Sequence, residues 1–480
     1  MAGAAAIVLA AGKGKRMRSA LPKVAHPVGG RPMLWHVLQA ARSAGIREIV
    51  VVLGHGRDAL RETVARFGAK VAVQEVQRGT GDAARIGLSE VSRGAREVVV
   101  LCGDAPMIRP STVRSLLAAK RNRKAAASVL TGILSDPSGY GRILRNPGGE
   151  VSRIVEERDG GAEIRKVREV NSGAYAFDRA FLARTLPRLS DVNIQREYYL
   201  TDLVVQALQE GRIVVPVPAR DPDEVRGINS RKELAEATEI LRRRKIEALL
   251  AAGVTLPAPD RVHVDPEVTV GTDSVIEPGS VLLGSTRIGR GVRIQAGCVV
   301  EDCRVEDGAH LKPYCVLTAS RVRKGAVLGP FAHLRPEADI GEDARIGNFV
   351  EVKKSRIGRG SKANHLAYIG DCTIGRKANI GAGTITCNYD GLAKHRTVIG
   401  DGVFVGSDTQ FVAPVTIGKG ALIGAGATIT KDVPPFALAL SRAEQKVIEG
   451  WVIRRMPDLP KKAGLRLPPG KQKKSGKGIA

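Results

Sequence analysis

The chain has 480 residues, which is enough for two or three domains with buried cores. Lys and Arg number 75 against 49 Asp and Glu, and the formal net charge of +26 favours anionic partners such as phosphate-bearing small molecules, nucleic acid or acidic membrane surfaces. No apolar run approaches the ~18 residues that span a bilayer, and no basic region precedes the apolar N-terminus, so neither membrane insertion nor a secretory signal is expected. The 6 cysteines form no CxxC pair, which argues against structural zinc and a disulfide framework and predicts a cytoplasmic protein with reduced thiols.

The N-terminal part of the chain, 1–228, alternates short apolar runs with amphipathic segments. The apolar runs are 5–9, 49–53, 71–73 and 98–101, and the amphipathic segments between them are 31–44, 57–67 and 81–92. This alternation predicts a parallel sheet with helices on both of its faces. Residues 229–252 then predict a single helix, for which Asn229 or Ser230 is the expected cap, and Pro257 and Pro259 follow its end.

The dipeptide Ile-Gly recurs through the second half of the chain. It begins at residues 288, 340, 346, 357, 369, 374, 380, 399, 417 and 423, so that several separations are six residues and one is eighteen. A helix with about 3.6 residues per turn cannot produce this spacing. A six-residue repeat is typical of a parallel β-helix, in which one apolar side chain per repeat points inward and three repeats make one triangular coil. Such a narrow core also accounts for an aromatic content of only 4%. The alternative is a Gly-rich β-sandwich.

Residues 456–480 form a C-terminal tail rich in Pro, Gly and Lys. The tail holds seven Lys and Arg residues and one Asp, and this composition predicts disorder. It contains no aromatic residue on which a base could stack, so specific nucleic-acid binding is not expected. The predicted organisation is therefore an α/β domain over 1–228, a linker helix over 229–252, a β-helical domain over 253–455 and this tail.

A basic, glycine-containing turn follows the first apolar run. Its sequence is LAAGKGKRM over residues 9–17, and Lys23 lies a few positions further on. Small residues let backbone N–H groups approach a phosphate, and the cations Lys13, Arg16 and Lys23 can neutralise it. Asp104 follows another apolar run, at the edge of a parallel sheet where ligands bind, and is a candidate Mg²⁺ ligand. The alternatives are an ordinary basic turn and an Asp that caps a helix.

Together these segments resemble the sugar-nucleotide pyrophosphorylase family. The resemblance rests on LAAGKGKRM and PK near the N-terminus, on Gln74 followed by GTG, on GD at 103–104, and on GYGRI, IVEE, NSG, EYYLTD and GIN further along. More narrowly, residues 5 to 453 are similar to the bifunctional N-acetylglucosamine-1-phosphate uridylyltransferase / glucosamine-1-phosphate N-acetyltransferase family. The resemblance implies an α/β nucleotidyltransferase with a Rossmann-like mixed sheet, a linker helix and a left-handed parallel β-helix.

The resemblance also assigns residues to a uridylyltransferase site. UTP would be bound by Leu9, Ala10, Ala11, Gly12, Lys23, Gln74, Gly79, Thr80, Cys102, Gly103 and Asp104. The sugar phosphate or the UDP-sugar product would be bound by Gly141, Glu156, Asn171 and Asn229, with Asp104 and Asn229 as Mg²⁺ ligands. The implied reaction is an in-line attack of a sugar phosphate oxygen on the α-phosphorus of UTP; it needs no general base, and Arg16 and Lys23 would stabilise the developing charge. Lys15 and Cys102 depart from the family pattern beside this site.

Polar residues and a projecting loop interrupt the β-helical repeats. His365 is the candidate general base for an amine that attacks a thioester, since histidine titrates near neutrality. Arg335 and Lys353 suit a sugar phosphate, and backbone N–H groups at 381–383 are candidates for holding the thioester oxyanion. A loop over about 387–395 indicates a binding site in an otherwise regular solenoid. The alternatives are a structural histidine and a solvated lysine face.

The acetyltransferase half of the same family carries similar motifs. They are HLRP, EVKK, NHLAYIGD, NIGAGTITCNYDG, VGSDTQ and IGAGATIT. By this resemblance His365 is the base, Arg335, Lys353, Tyr368, Asn379 and Lys394 bind glucosamine-1-phosphate, and Ala382, Asn388, Tyr389, Ser407, Ala425 and Arg442 contact acetyl-CoA. The family packs its β-helices as homotrimers with active sites between subunits. His310, His333 and His395 are interpreted as structural or solvated residues.

The predicted function is the synthesis of UDP-N-acetylglucosamine for the cell envelope, by acetyl transfer from acetyl-CoA followed by uridylyl transfer from UTP. Three alternatives stay open. One is a pyrophosphorylase whose β-helix serves only assembly. Another is a regulatory subunit of a nucleotide-exchange complex, which would be expected to lack the metal Asp and the phosphate loop. The third is nucleic-acid binding through the basic tail.

Overall fold

The structure is a computed structural model that describes residues 3–12, 14–54 and 56–466. Its N-terminal part is an α/β domain. The strands are β1 (Ala4–Ala10), β2 (Pro27–Val28), β3 (Arg31–Pro32), β4 (Glu48–Leu53), β5 (Lys70–Val73), β6 (Glu97–Cys102), β7 (Ala127–Ile133), β8 (Arg142–Arg145), β9 (Val151–Val155), β10 (Glu169–Asp178) and β11 (Val214–Pro218). The helices are α1 (Met33–Ser43), α2 (Arg61–Arg66), α3 (Thr80–Ser89), α4 (Pro110–Asn122), α5 (Ala162–Arg165), α6 (Arg179–Thr185) and α7 (Asp202–Gln209).

The central sheet of this domain is mixed rather than parallel. Its strand order is β11-β7-β10-β6-β1-β4-β5, with the hairpin of β8 and β9 attached to β10. The four predicted apolar runs become β1, β4, β5 and β6, which pair in parallel. The expectation of a wholly parallel sheet is wrong at β10, which runs antiparallel to both β6 and β7. The mixed sheet implied by the family resemblance is confirmed.

Each face of the sheet carries its own apolar core. One core packs Leu34 and Leu38 of α1 and Leu116 of α4 against the sheet. The other packs Leu88 of α3 and Leu203 of α7 against the opposite face. Helices therefore cover both faces, as the alternation of runs and amphipathic segments predicted.

A long helix, α8 (Arg231–Ala251), links the two halves of the chain. Ser230 is its cap and forms a capping box: the Ser230 side chain accepts from the Glu233 N–H, and the Glu233 carboxylate accepts from the Ser230 N–H. The first part of α8 buries Ile240 against the α/β domain, and its last turns bury Ile246 and Leu249 in the β-helix core. One amphipathic element thus contributes to both cores.

A series of short strands follows α8. They are β12 (His263–Val264), β13 (Thr269–Val270), β14 (Val275–Ile276), β15 (Val281–Leu283), β16 (Arg287–Ile288), β17 (Arg293–Ile294), β18 (Val299–Glu301), β19 (Arg304–Val305), β20 (His310–Leu311), β21 (Val316–Thr318), β22 (Arg321–Val322), β23 (Val327–Leu328), β24 (His333–Leu334), β25 (Asp339–Ile340), β26 (Arg345–Lys353), β27 (Arg356–Ile357), β28 (Lys362–Gly370), β29 (Cys372–Ile374), β30 (Asn379–Ile380), β31 (Ile385–Cys387), β32 (Thr397–Ile399), β33 (Phe404–Val405), β34 (Gln410–Val412), β35 (Val415–Ile417), β36 (Leu422–Ile423), β37 (Thr428–Ile429) and β38 (Leu438–Ala439).

These strands wind into the predicted parallel β-helix. Val281 lies beside Val299 in the next coil, and Val299 lies beside Val316 in the coil after that. The second of these steps is one residue shorter than the first, so the small deletions expected at the corners are present. The step from Thr373 to its neighbour Val398 is much longer. The extra residues form the projecting loop that the sequence predicted.

The inside of the β-helix is a narrow apolar column. The Ile of the Ile-Gly pairs points inward from more than one face: Ile340 and Ile346 lie in different sheets and are at most 1% exposed. One continuous core runs from Val254 to Val433. Phe411 is a buried aromatic in this column, which agrees with the low aromatic content of the chain.

The C-terminal segment is described only in part. Residues 467–480 of the predicted disordered tail lie outside the described residues. The described part of the tail contains a short helix, α10 (Asp458–Lys462), which follows α9 (Trp451–Arg455). Asp458 in its first turn and Lys461 in its last turn suit the helix dipole. None of the helices among the described residues has the length and apolar composition needed to cross a bilayer.

A methyl group on Gly347 would lie 1.8 Å from the carbonyl oxygen of Asn364 in the next coil. We therefore expect Gly347→Ala to push two coils apart and to lower the free energy of unfolding by about 2–3 kcal/mol, as overpacking of a rigid interior does. Urea unfolding followed by circular dichroism measures this change. Gly94→Ala is the control, because no atom lies within 4 Å of its added methyl. Equal midpoints for the two variants would contradict the expected crowding.

Candidate functional sites

The first candidate site lies at the carboxyl edge of the sheet, where β1 and β6 end side by side. Leu9 of β1 pairs with Cys102 of β6, and the Gly103 N–H donates to the Leu9 carbonyl at 2.8 Å. A cleft of ≈ 260 Å³ opens here. Its lining includes Leu9, Ala10, Ala11, Gly12, Lys23, Gln74, Gly79, Thr80, Cys102 and Asp104. The structure thus brings the predicted nucleotide-binding residues together, with Gly103 in the wall behind them.

Lys23 joins two side chains that are distant in sequence. Its ammonium donates to Asp104 Oδ2, and to Asn229 Oδ1 at 3.0 Å. The Lys23 and Asp104 side chains are 11% and 24% exposed. Asn229 reaches this point because the Ile228 N–H donates to the Asp104 carbonyl at 2.9 Å. The two predicted Mg²⁺ ligands and a predicted charge-stabilising lysine therefore meet at one point.

Arg16 is placed less closely. It lies exposed on the one-turn 3₁₀ helix Lys15–Met17. That turn is near Lys23, since Gly14 packs against the Lys23 side chain. Among the described residues that line the cleft, Arg16 does not appear. Lys13 lies outside the described residues.

The N-terminus of α3 faces the cleft and is held there by polar contacts. Buried Gln74 donates to the Gly79 carbonyl at 3.2 Å and to Asp82 at 2.9 Å. The Thr80 hydroxyl accepts from the Leu200 N–H at 3.1 Å. The Gly81 N–H in this first turn donates to the Tyr198 carbonyl at 2.7 Å. Gln74 and Thr80 therefore fix the start of α3 beside the cleft.

A half-buried carboxyl group, that of Glu156, lies among the residues predicted to bind the sugar. Glu156 accepts a hydrogen bond from the Thr201 hydroxyl at 3.2 Å, and burial is the main cause that raises the pKa of Glu156. Its carboxylate lies 3.4 Å from the position that a Cβ on Gly141 would take. The Asn171 N–H donates to the Gly141 carbonyl at 2.8 Å. Gly141, Glu156 and Asn171 therefore form one group.

The residues at Asp104 suit a magnesium ion. The Lys23 ammonium already holds two oxygens, Asp104 Oδ2 and Asn229 Oδ1, around one positive charge. Both are hard oxygen donors of the kind Mg²⁺ prefers. Within the described residues no three His, Cys, Asp or Glu side chains cluster as a metal site. An ion here would therefore take its remaining ligands from substrate phosphates and water.

The second candidate site lies on the β-helix and is rich in cations. The Arg335 guanidinium donates to Glu351 at 2.8 Å, and Glu351 pairs with Tyr368 in the next coil. The ammonium of Lys394, on the projecting loop, lies beside Lys353 and is the main cause that lowers the Lys353 pKa. Four of the predicted sugar-phosphate residues are thereby close together.

Asn379 is the exception in this group. It lies on another face of the triangular coil, beside Lys362 and Phe404. Within one chain it therefore does not share the face that carries Arg335 and Tyr368.

His365 lies at the corner between those two faces. It is exposed, and its Nδ1 lies 3.1 Å from the amide oxygen of Asn348 in the preceding coil. An amide oxygen accepts only, so Nδ1 donates and Nε2 keeps its lone pair. The orientation of the ring is the one that a general base needs.

The predicted acetyl-CoA residues continue the same corner upward from His365. The Gly383 N–H donates to the Leu366 carbonyl at 2.6 Å, the Asp408 N–H donates to Ala382, and the Gly426 N–H donates to Ser407. Ala382, Ser407 and Ala425 therefore stack in successive coils, with Arg442 above them next to Gly426. Because the Gly383 N–H is already bonded, it is not available to hold an oxyanion, which corrects that part of the expectation for 381–383.

Comparison with known proteins agrees with this arrangement. A model of the MobA-like NTP transferase domain matches residues 6–159, and a model of the bacterial transferase hexapeptide, with six repeats, matches residues 396–431. Bifunctional protein GlmU from Trichlorobacter lovleyi is 49% identical over 459 residues, covering 95% of this chain and 99% of that protein. The protein of the same name from Pelobacter propionicus is 47% identical over 455 residues, with 95% and 99% coverage, and that from Sorangium cellulosum is 49% identical over 467 residues, with 95% and 98% coverage.

The chain belongs to the bifunctional GlmU family. The predicted family and the predicted pairing of a nucleotidyltransferase domain with a hexapeptide-repeat transferase domain are confirmed. A bifunctional enzyme is thereby favoured over a pyrophosphorylase with an inert scaffold and over a regulatory subunit.

Several residues of the two sites were not identified from the sequence. Each forms a hydrogen bond with a predicted residue: Thr201 with Glu156, Glu233 with the Asn229 N–H, Asn348 with His365, Glu351 with Arg335 and Asp371 with Asn388. Asn348 lies one coil before His365. The coil length therefore contained the signal for it. The Ser-x-x-Glu spacing of the capping box contained a signal for Glu233, whereas Thr201 depends on a tertiary contact.

Cys102 is expected to react slowly with alkylating reagents although it lies in the cleft. Burial, with the Asp104 carboxylate beside it, raises the pKa of Cys102 to about 12, so only about one thiol in ten thousand is ionised at pH 8. Iodoacetamide labelling followed by peptide mass spectrometry measures this, with the urea-unfolded chain as the control. Labelling of Cys102 at the rate of the unfolded chain would contradict a protonated, buried thiol.

Proposed function

We propose that this chain makes UDP-N-acetylglucosamine in two steps, at the two sites described above. Acetyl-CoA would acetylate the amine of glucosamine-1-phosphate on the β-helix, and UTP would then donate UMP to N-acetylglucosamine-1-phosphate in the α/β domain. The observation that carries the first half is His365, with the lone pair of Nε2 exposed, between a cation cluster and a column of small residues. The convergence of Lys23, Asp104 and Asn229 carries the second half.

In the uridylyl step the chain acts by positioning and charge. The turn 9–12, Gly79 and Thr80 would bind UTP, and Glu156 would accept hydrogen bonds from the sugar hydroxyls. Lys23 would stabilise the charge that develops as pyrophosphate leaves. Mg²⁺ held by Asp104 and Asn229 would supply further neutralisation of the phosphates. The attacking oxygen is already anionic, so no side chain has to remove a proton.

In the acetyl step the chain supplies a base. His365 Nε2 would take the proton from the sugar amine as the nitrogen attacks the thioester carbonyl, and the bond from carbon to sulfur then breaks. Arg335, Lys353 and Lys394 would bind the sugar phosphate, with Tyr368 beside them. The stacked residues Ala382, Ser407 and Ala425 leave room for the chain of acetyl-CoA, with Asn388, Tyr389 and Arg442 at its edges.

The two activities are expected to separate by mutation. Asp104→Asn should lower kcat of uridylyl transfer at least ~100-fold because it removes a charged ligand, and should leave acetyl transfer within twofold. His365→Ala should lower acetyl transfer by about 10²–10⁴-fold and leave uridylyl transfer intact. Mass spectrometry of the products from glucosamine-1-phosphate, acetyl-CoA, UTP and Mg²⁺ measures both steps in one tube. Loss of both activities in either variant, or of neither, would refute the assignment.

We also propose that the chain forms a homotrimer through a corner of the β-helix. Tyr314, Phe331 and Phe349 lie one above another on this corner, with ring centroids 5.3 Å apart. They are 55%, 46% and 57% exposed, and Leu366, beside the base, is 64% exposed. A continuous apolar stripe of this kind is characteristic of a surface that another subunit covers. The stripe ends at His365, so a subunit packed on it would border the acetyl site.

Asn379 supports the same proposal. Asn379 and Arg335 lie on the two faces that meet at the apolar stripe. A site that used both residues would therefore draw them from different subunits. A trimer would thus explain why Asn379 is separated from the other predicted sugar-phosphate residues within one chain.

Phe331→Asp should break the trimer, because a carboxylate in the middle of the stripe would be buried without a partner. Light scattering should then give the monomer mass, acetyl transfer should fall at least ~10-fold, and uridylyl transfer should stay within twofold. Phe331→Leu, which keeps an apolar side chain, is the control. A trimer in the Asp variant, or a monomer with full acetyl transfer, would disprove this role of the stripe.

A further inference from the structure

The projecting loop of residues 388–395 is closed by its own contacts. Its backbone pairs Tyr389 with Lys394, and the His395 N–H donates to the Asn388 carbonyl at 2.8 Å. Asn388 is in turn tied to the body of the β-helix, since its amide donates to Asp371 at 2.5 Å. The base of the loop is therefore anchored, whereas its tip stands in solvent, with Leu392 95% exposed.

One side-chain contact crosses this loop. His395 Nε2 lies 2.6 Å from Asp390 Oδ2, and the other carboxylate oxygen accepts the N–H groups of Leu392 at 2.8 Å and Ala393 at 2.7 Å. These hydrogen bonds, the Ala393 N–H first, hold the pKa of Asp390 well below its usual range. Asp390 thus accepts from two backbone N–H groups and from one side chain, that of His395.

The loop carries Lys394, whose ammonium group has other cations beside it. The Lys394 side chain lies beside that of Lys353, and the Arg335 guanidinium is also near Lys353. Two carboxylates face these cations: Glu351 accepts from Arg335 at 2.8 Å, and Asp371 lies near Lys353 and also accepts from Asn388. Neighbouring like charges repel one another, so Lys394 is held beside Lys353 against a repulsive force. A contact inside the loop must oppose that force.

We propose that His395 is a positioning residue for acetyl transfer: by donating to Asp390 it locks the loop so that Lys394 stays beside Lys353, ready for the sugar phosphate. This inference rests on the proposed acetyltransferase function of the same site. It reassigns a residue that sequence reasoning treated as structural. His395 does not touch the substrate in this role; it acts through Lys394, which is the adjacent residue.

The lock has a defined kinetic consequence. A preorganised Lys394 lowers the cost of binding the phosphate, and it does not take part in proton transfer at the amine. Loss of the lock should therefore raise KM for glucosamine-1-phosphate and change kcat little. Glucosamine, which lacks the phosphate, should be acetylated at an unchanged rate by the altered enzyme.

The test compares His395→Phe, which keeps a ring without a donor, with His395→Gln, whose amide still donates. We expect KM for glucosamine-1-phosphate to rise about 10-fold in the Phe variant. In the Gln variant we expect at least half of this increase in KM to be absent. Uridylyl transfer by the same molecules reports that the chain is folded. An equal loss of acetyl transfer to glucosamine-1-phosphate and to glucosamine would overturn the proposal. A fall in kcat with unchanged KM would also overturn it.

A double-mutant cycle with Lys394→Gln then separates positioning from general stability. If His395 acts through Lys394, His395→Phe adds less than twofold in the Lys394→Gln background. Full additivity of the two losses would also overturn the proposal. Absence of acetyl transfer in the unaltered chain would instead refute the proposed function, so the two failures are distinguishable.

Discussion

Backbone hydrogen bonds between successive coils place each residue of the β-helix above its counterpart in the coil before it. Parallel neighbours of this kind lie about 4.8 Å apart, so a column of side chains becomes a surface with a fixed spacing. Asn348 under His365 is one product of that rule, and Ala382 under Ser407 is another. The residues of the acetyl site thus recur in the sequence at intervals of one coil, and the single inserted loop completes the site.

The α/β domain achieves the same rigidity by another route. The Asp104 end of β6 receives Asn229 from the start of α8, and the capping box of that helix fixes the position, since Glu233 accepts from both the Asn229 and the Ser230 N–H. The cap that begins the linker helix is therefore also part of the wall of the cleft. Asn229, a predicted ligand of one site, thus lies immediately before the cap of a helix that enters the cores of both halves.

The sequence predicted the elements better than the contacts between them. Apolar runs and the Ile-Gly period identified the strands and the β-helix because each depends on local patterning. The pattern of apolar runs did not predict that β10 is antiparallel, since its direction depends on the hairpin of β8 and β9 before it. Residues whose types carry chemistry, such as His365 and Asp104, were identified from motifs. Their partners Thr201 and Glu351 are unremarkable in sequence and become significant only through the fold.

The two sites treat positive charge differently, and this difference follows from their partners. Lys23 has the Asp104 carboxylate in direct contact and is largely buried, so its charge is balanced before any substrate arrives. Arg335, Lys353 and Lys394 share Glu351 and Asp371 among three cations and lie in solvent, where the excess charge is tolerated at a small cost. A phosphate that binds to the second site relieves repulsion. At the first site a nucleotide would compete with Asp104 for Lys23, and a divalent cation held by that carboxylate would free the lysine for the phosphate.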